Sequence, residues 1–267
     1  MSEIDAYLRQ TCALTSRELK HWYRSKTQVA MALIMPLMWL GLFGFAMSGF
    51  IDTSGLDIDY FSYLAMGMVI ITSLSTSMNA GMSVIWDRRF GFLAKLKAAP
   101  IPRGVIPLSK VLATTVKAAI QSMLILIIGL VLGLNLVEGF GIVDLLVIIV
   151  AVVAVALTFS SIFIALGLVI KNQDALMSVN MLLNLPLMFA SGAMFPTSTF
   201  PDWLRTVANV NPLTYAADAI RRASTPLNDS MLSVPGLSLA EDMVLIIVSA
   251  IVVTAMGMFF ARRGLKD

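Results

Sequence analysis

Two long apolar stretches of this 267-residue chain each carry hydroxyl and carboxamide side chains at helical spacing. Residues at i, i+4, i+7 and i+11 share one face of an α-helix, so each set predicts one polar stripe. Such groups donate and accept hydrogen bonds, but without an activating base they do not supply a nucleophile. Their chemistry is therefore recognition or helix pairing. The first set is Thr72, Thr76, Asn79 and Ser83, and the second is Asn180, Asn184 and Ser191.

Polar residues inside a membrane cost free energy unless they are paired or hydrated, which leaves two interpretations of these stripes. They either line the path of a transported molecule or join helices through hydrogen bonds of about 0.6 kcal/mol each. Both interpretations stay open for the first stripe. For the second we favour a path, because Asn is bulky and Pro186 frees a backbone carbonyl. The candidate path residues are Thr72, Thr76, Asn79, Asn180, Asn184 and Ser191.

The sequence contains no set of residues typical of catalysis or metal binding. The only histidine is His21, the only cysteine is Cys12, and there is no HExxH motif. No GxxxxGK(S/T) motif is present, so no P-loop can hold nucleotide phosphates. We therefore expect this chain to have no catalytic residue, no metal and no cofactor of its own.

The apolar residues that surround the stripes indicate a membrane protein. They make up 58% of the chain, above the roughly 45–50% of soluble domains, and the mean hydropathy is +0.86. They fall in runs of about 20 residues, the length that crosses a bilayer as a helix. We predict one all-α membrane domain over residues 1–267 with about six spans. The predicted spans are residues 29–50, 61–86, 111–134, 142–170, 176–195 and 243–261.

The distribution of basic residues predicts the orientation. Fifteen of the 19 Lys and Arg residues lie in alternate connecting segments that include both termini, and three lie in the opposite segments. The positive-inside rule then places both termini in the cytosol, with the chain in the cell membrane. Because the basic residues are spread over several membrane-proximal segments, the pI of about 9.1 indicates attraction to anionic lipid and no nucleic-acid partner.

Residues 1–27 have the pattern of an interfacial amphipathic helix, which we favour over an unstructured basic tail. At 100° per residue, apolar side chains gather on one broad face opposite a basic face, although Glu18 lies on the apolar side. The apolar face contains Ile4, Tyr7, Leu8, Cys12, Leu14, Leu19, Trp22 and Tyr23, and the basic face contains Arg9, Arg17, Lys20 and Arg24.

The cytosolic loop of residues 87–103 predicts a short helix that Pro100 and Pro102 end. Its apolar side chains have no core to enter within a short basic loop, so they need an external surface. Lipid headgroups and the groove of a partner protein both remain open. These four side chains are Phe90, Phe92, Leu93 and Leu96.

A polar, proline-containing segment separates the last two spans. Residues 195–224 read FPTSTFPDWLRTVANVNPLTYAADAIRRAS, which is too polar for another span. With the basic N-terminal helix and the DRRFGFLAKLKAAPIPR loop, this segment resembles the membrane subunits of type-2 ABC exporters, and in particular the daunorubicin-resistance permease group. The resemblance covers essentially the whole chain.

The resemblance implies a half-transporter that dimerises and binds two copies of a separate ATPase subunit, which holds the ATP and magnesium. It implies that residues 88–100 form the coupling helix, with Phe90, Phe92, Leu93 and Leu96 as contact candidates. It also implies re-entrant helices over residues 196–224 and export of an amphipathic drug, lipid or glycolipid.

An ion-driven secondary transporter is the alternative function, and an intramembrane enzyme is a weaker one. A secondary transporter should show ionisable groups near the bilayer midplane or helices interrupted at repeated positions. The sequence offers only Lys117 and Pro186 for this role. For Lys117 we favour a side chain that reaches back to the interface over an ion or substrate site.

Overall fold

A computed structural model describes residues 3–48, 60–225, 232–234 and 236–264, and within these ranges the chain is helical and has no β-strand. The predicted all-α class is confirmed. A short π-helix, Trp39–Gly44, joins α2 to α3, and a 3-10 turn, Thr197–Thr199, precedes α10. The α-helices are α1 (Glu3–Arg24), α2 (Lys26–Met38), α3 (Phe45–Ser48), α4 (Tyr60–Met78), α5 (Ala80–Arg89), α6 (Phe92–Ala98), α7 (Val105–Val131), α8 (Ile142–Val169), α9 (Gln173–Phe189), α10 (Asp202–Val210), α11 (Pro212–Ser224) and α12 (Leu239–Gly264).

Five helices of the described ranges are long and apolar enough to cross a membrane. They correspond to five of the predicted spans. Four of them begin or end beyond the predicted bounds, whereas Val105–Val131 and Ile142–Val169 end before the predicted residues 134 and 170. The end of the first predicted span, residues 49–50, lies outside the described residues. The five are Lys26–Met47, Tyr60–Arg89, Val105–Val131, Ile142–Val169 and Leu239–Gly264.

The remaining predicted span, residues 176–195, is shorter than expected. It is helix α9, with 17 residues, or about 26 Å at 1.5 Å per residue. The predicted end at residue 195 is wrong, because the chain turns after Phe189 and Gly192 adopts a left-handed conformation with φ +64°. Only glycine takes this conformation without strain.

Helix α4 forms the centre of the bundle. All residues from Tyr60 to Leu74 are buried, and α4 packs against α7, α8 and α11. At Asn79 the helix breaks, and α5 continues along α8 instead of α7. The break separates the buried half of this span from the half that leads to α6.

The bundle has two ends that differ in their packing. At the α1–α6 end, helices α1 and α6 lie against the adjoining ends of α5, α7 and α8. At the α10–α11 end, α11 and the turn of residues 190–196 pack on the first turns of α4. The predicted interfacial and re-entrant segments therefore lie at opposite ends of the span Tyr60–Arg89.

The α5–α8 contact predicts a sharp dependence on glycine. A Cβ added at Gly81 would lie 2.3 Å from the carbonyl oxygen of Phe163, whereas one added at Gly41 would meet nothing within 4 Å. We expect Gly81→Ala to lower stability by about 1–3 kcal/mol, because the two helix backbones must separate. Thermal unfolding of the purified chain measures this effect. Gly41→Ala is the matched control, and equal midpoints for the two variants would contradict the close packing.

Candidate functional site

Helix α1 packs along α7 instead of standing free in the interface. Trp22 is buried against the bundle, and the Thr15 hydroxyl donates to the Ser109 carbonyl at 3.3 Å. Ile4, Leu8 and Tyr23 remain exposed on a neighbouring face. The single broad apolar face expected from the sequence is therefore divided into a face that packs on α7 and a face that is free for lipid.

Lys110 of α7 joins three helices at the α1–α6 end. Its Nζ atom lies 3.0 Å from Glu18 Oε1 of α1 and 2.5 Å from Asp87 Oδ2 of α5, and it donates to Ser83 Oγ at 3.2 Å. The Lys110 side chain is only 4% exposed. A buried ammonium group needs such partners, because an unpaired buried charge is strongly destabilising. Glu18, the carboxylate on the otherwise apolar face of the predicted helix, supplies one of these partners.

The ion pair changes the titration of Glu18. Burial raises the pKa of the carboxyl, but the Lys110 ammonium and its hydrogen bond outweigh this effect and hold the pKa below its ordinary value. Glu18 therefore remains ionised where an ordinary glutamate begins to protonate.

The loop between α5 and α7 contains the predicted short helix. Helix α5 continues to Arg89, Gly91 turns the chain with φ +72°, and α6 follows. Ala99 is extended before Pro100, as the steric effect of proline on the preceding residue predicts. The helix covers residues 92–98, within the predicted loop of residues 87–103.

The four apolar side chains of this loop have different environments. Phe90 is 79% exposed, whereas Leu93 is 4% exposed. Phe92 is half-buried, and the Arg17 guanidinium lies 3.5 Å from the centre of its ring. Leu96 packs against the same cluster as Leu93. That cluster consists of Ala80, Val84, Leu93, Ile106, Val111, Ile164, Leu168 and Ala261.

The expectation that all four side chains lack an intramolecular core is therefore wrong for Leu93 and Leu96. The ends of α5, α7, α8 and α12 converge and form a core that α6 covers. Sequence periodicity does not reveal a cluster assembled from separate helices. Of the four candidates, Phe90 is the side chain that the chain itself leaves uncovered.

The stripe of the span Tyr60–Arg89 contacts α7. The Thr76 hydroxyl lies 2.5 Å from Gln121 Oε1, and the Ser122 hydroxyl donates to the Val69 carbonyl at 2.8 Å. Thr72 is buried and donates to Met68 of its own helix, while Asn79 is exposed and donates to the Ser75 carbonyl. Part of the stripe therefore joins helices, and part remains accessible.

The stripe of α9 is split by the end of the helix. Asn180 is half-buried and donates to the Met78 carbonyl of α4 at 3.2 Å. Asn184 is half-buried and makes no hydrogen bond to another described residue. Ser191 lies beyond the helix, buried in the following turn, where it donates to the Met188 carbonyl. The prediction that these three residues share one helical face is wrong for Ser191.

At the α10–α11 end, a completely buried arginine holds the turn of residues 190–196. The Arg221 guanidinium donates to the carbonyls of Gly192, Ala193 and Tyr63 at 2.7–3.2 Å, and it lies 3.5 Å from the centre of the Tyr63 ring. Asn211 caps α11 and donates to the Leu187 carbonyl. The NPLTYAADAIRR segment therefore satisfies backbone carbonyls at and beyond the end of α9.

Among the residues that the structure describes, no group of His, Cys, Asp or Glu side chains is arranged to hold a metal ion. The α1–α6 end is firmly packed and has exposed apolar and basic side chains.

The low pKa of Glu18 predicts how the docking of α1 depends on pH. Because the folded-state pKa is below the ordinary value of 4.5, the carboxylate contributes its full stabilisation above that value and loses it as the pH falls through the folded-state pKa. We expect the protection factors for amide hydrogen exchange in residues 3–24, which correct for the slower intrinsic exchange in acid, to fall on acidification. In Glu18→Gln this pH step should be absent and the protection factors should already be lower at pH 7. Asp174→Asn, which alters an exposed carboxylate, is the control, and an unchanged pH profile in Glu18→Gln would contradict the prediction.

Comparison with known proteins places the chain in a family. The family model for the ABC-2 type transporter matches residues 9–223. The chain is 33% identical over 205 residues to the transport permease ycf38 of Porphyra purpurea, covering 76% of this chain and 69% of the relative. It is 21% identical over 219 residues to a probable doxorubicin resistance ABC transporter permease of Mycobacterium tuberculosis, covering 80% and 76%. It is 24% identical over 191 residues to a daunorubicin resistance ABC transporter permease of Streptomyces coeruleorubidus, covering 71% and 65%.

The matched region runs from α1 to α11 and contains four of the five candidate spans, whereas the fifth, α12, lies beyond it. It includes the α6 loop, both polar stripes and the NPLTYAADAIRR segment. The chain therefore belongs to the ABC-2 type transporter family and is a multi-pass membrane permease subunit of an ABC transporter.

Proposed function

We propose that this permease dimerises with a second copy and binds two copies of a separate ATPase subunit at its α1–α6 end. ATP and magnesium bind the ATPase, and the permease moves an amphipathic drug, lipid or glycolipid out of the cell. Two observations support the class of cargo: the relatives that carry doxorubicin and daunorubicin resistance in their names, and partly exposed polar groups inside apolar spans.

The exposed turn between α5 and α6 is the observation that carries the proposed ATPase site. Phe90 extends from this turn, and Arg89, Lys95 and Lys97 are exposed beside it. An exposed aromatic side chain surrounded by basic groups fits a partner groove with an apolar centre and an acidic rim. Phe90, Phe92, Leu93 and Leu96 then have two roles, because Phe90 contacts the partner while Leu93 and Leu96 fix α6 to the bundle.

The attachment of α6 explains how an ATPase movement would reach the membrane. Leu93 is buried among residues of α5, α7 and α8, and Lys110 ties α5 and α7 to α1. A displacement of α6 therefore moves the ends of several spans together, because packed cores do not deform continuously.

Only the accessible polar residues remain candidates for the proposed substrate path. Thr76, Asn79, Asn180 and Asn184 are at least partly exposed, whereas Thr72 and Ser191 are buried and hydrogen-bonded to nearby carbonyls. Asn184 is the strongest of these candidates, because its carboxamide has no hydrogen-bond partner among the described residues.

We further propose that the α1–α6 end is cytosolic and that the α10–α11 end faces outward across the cell membrane. In a Cys12→Ser background, a cysteine at exposed Ser198 should react with an impermeant thiol reagent in intact cells, whereas one at exposed Ala94 should react only after the cells are opened. Ser224 is unsuitable as an outside reporter because it is completely buried. Labelling of Ala94→Cys in intact cells would contradict the proposed orientation and would place the α1–α6 end outside the cell.

Substitution of Phe90 tests the proposed ATPase site. Burying a phenylalanine contributes about 1.5–3 kcal/mol, and a carboxylate in an apolar groove adds a desolvation cost. We therefore expect Phe90→Glu to weaken co-purification of the ATPase by about tenfold or more and to abolish ATP-dependent transport in vesicles. Phe90 is exposed, so the variant should fold and insert normally, whereas Leu96→Glu would also disturb the core beneath α6.

Arg103→Ala is the control, because Arg103 is exposed on the same loop but outside α6. It should retain ATPase binding and transport. Undiminished ATPase binding by Phe90→Glu would overturn the assigned contact, and transport driven by an ion gradient without ATP would overturn the exporter proposal in favour of a secondary transporter.

A further inference from the structure

The seam between the span Tyr60–Arg89 and helix α7 contains a level at which no hydrogen bond between described residues joins the two helices. Two contacts fix the register of these antiparallel helices, Thr76 with Gln121 at 2.5 Å and Ser83 with Lys110 at 3.2 Å. Between them, interpolation places the backbones of Asn79 and Lys117 at about the same level. The seam is therefore closed by side-chain contacts above and below this level.

Lys117 makes no direct salt bridge, although the carboxylates of Glu18 and Asp87 attract it over a longer distance. It is half-buried, and its ammonium group forms no ion pair or hydrogen bond with any residue that the structure describes. The carboxylates of Glu18 and Asp87 at this end are both within 3.0 Å of Lys110. An unpaired ammonium group within a membrane span is costly unless something polar or charged covers it.

The neighbouring charges favour an anion as the group that covers the Lys117 ammonium. Arg17 also lies 3.4 Å from Glu18, so the cluster contains three cations and two carboxylates and carries a net charge of +1. One added negative charge would balance the cluster. The cations are Arg17, Lys110 and Lys117, and the carboxylates are Glu18 and Asp87.

The position of Lys117 makes the site accessible from the lipid. On α7, the exposed apolar side chains of Val116 and Ile120 lie next to Lys117, on the side away from the seam. Asn79, on the facing helix, is also exposed. The Lys117 backbone is seven residues from Lys110, or about 10 Å along the helix. A lysine side chain points back toward the start of its helix, which brings the ammonium group close to the level of α1.

We infer that Lys117 and Asn79 form a binding site for the anionic headgroup, a phosphate or carboxylate, of an amphiphile whose apolar chain lies against Val116 and Ile120. The Lys117 ammonium pairs with the charge. The Asn79 amide, which uses one hydrogen for the Ser75 carbonyl, offers its second hydrogen. The amphiphile is either a membrane phospholipid or a transported compound, and the site does not depend on the ATPase or on the direction of transport.

The test measures phospholipid binding to the purified permease by native mass spectrometry. The probes are dioleoylphosphatidylglycerol, which is anionic, and dioleoylphosphatidylcholine, which has the same chains and no net charge. We expect the anionic lipid to be retained preferentially. Lys117→Met should weaken its binding by about tenfold, Lys117→Arg should preserve it, and Lys171→Met, which removes an exposed lysine elsewhere at the same end, should have no effect.

Asn79→Asp provides an independent variant that keeps the lysine. The new carboxylate would pair with Lys117 and exclude the anionic headgroup, so binding of phosphatidylglycerol should fall as it does in Lys117→Met. Competition by dodecyl phosphate would show that the charged group is sufficient and that a single-chain transported amphiphile fits. A lack of competition would assign the site to the two-chain membrane lipid.

Three results would overturn the inference. Lys117→Met could retain phosphatidylglycerol like the unaltered chain, or both lipids could bind equally well. Lys117→Met could also reduce the dimer fraction without changing lipid binding, which would show that a second copy covers the lysine.

Discussion

The α1–α6 end depends on one buried ammonium group, that of Lys110. Its Nζ atom lies within 3.2 Å of oxygen atoms of Glu18 on α1 and of Asp87 and Ser83 on α5. Without these partners, the desolvation of the charge would disfavour the packing of α1 on α7. The apolar cluster beneath α6 adds packing that has no preferred direction, whereas the ion pairs fix which helices meet and in which register. The orientation of the exposed Phe90 turn follows from both.

A second buried cation has the corresponding role at the α10–α11 end. Arg221 is completely buried, and its hydrogen bonds satisfy carbonyls of the turn after α9 and of α4. Non-helical backbone within a membrane protein is tolerated only where its polar groups find partners in the protein or in water. The planar guanidinium supplies several donors in fixed directions, which a lysine cannot do. The two ends of the span Tyr60–Arg89 are thus held by different cations, because carboxylates need a partner at one end and carbonyls at the other.

The sequence predicted the elements better than it predicted their contacts. Apolar runs of membrane length located the helices because hydrophobic length is a local property, and Pro100 correctly marked the end of α6. The Glu18–Lys110 pair spans 92 residues, and no local pattern encodes it. Glu18 on an apolar face was the available signal, because a carboxylate in such a position requires a cation from another helix. Ser191 was assigned to a helical face because the left-handed turn at Gly192 is not visible in a periodicity.

The length of α9 has a consequence for the bilayer around it. At about 26 Å, this helix is shorter than the roughly 30 Å hydrocarbon layer of a typical membrane, and its exposed side chains include Met177, Met181 and Leu185. A hydrophobic segment that is too short is accommodated by local thinning of the bilayer or by association with other helices. Where lipid covers α9, we therefore expect the bilayer beside it to be thinner than the undisturbed bilayer. The shape of the membrane around this protein would then depend on the length of a single helix.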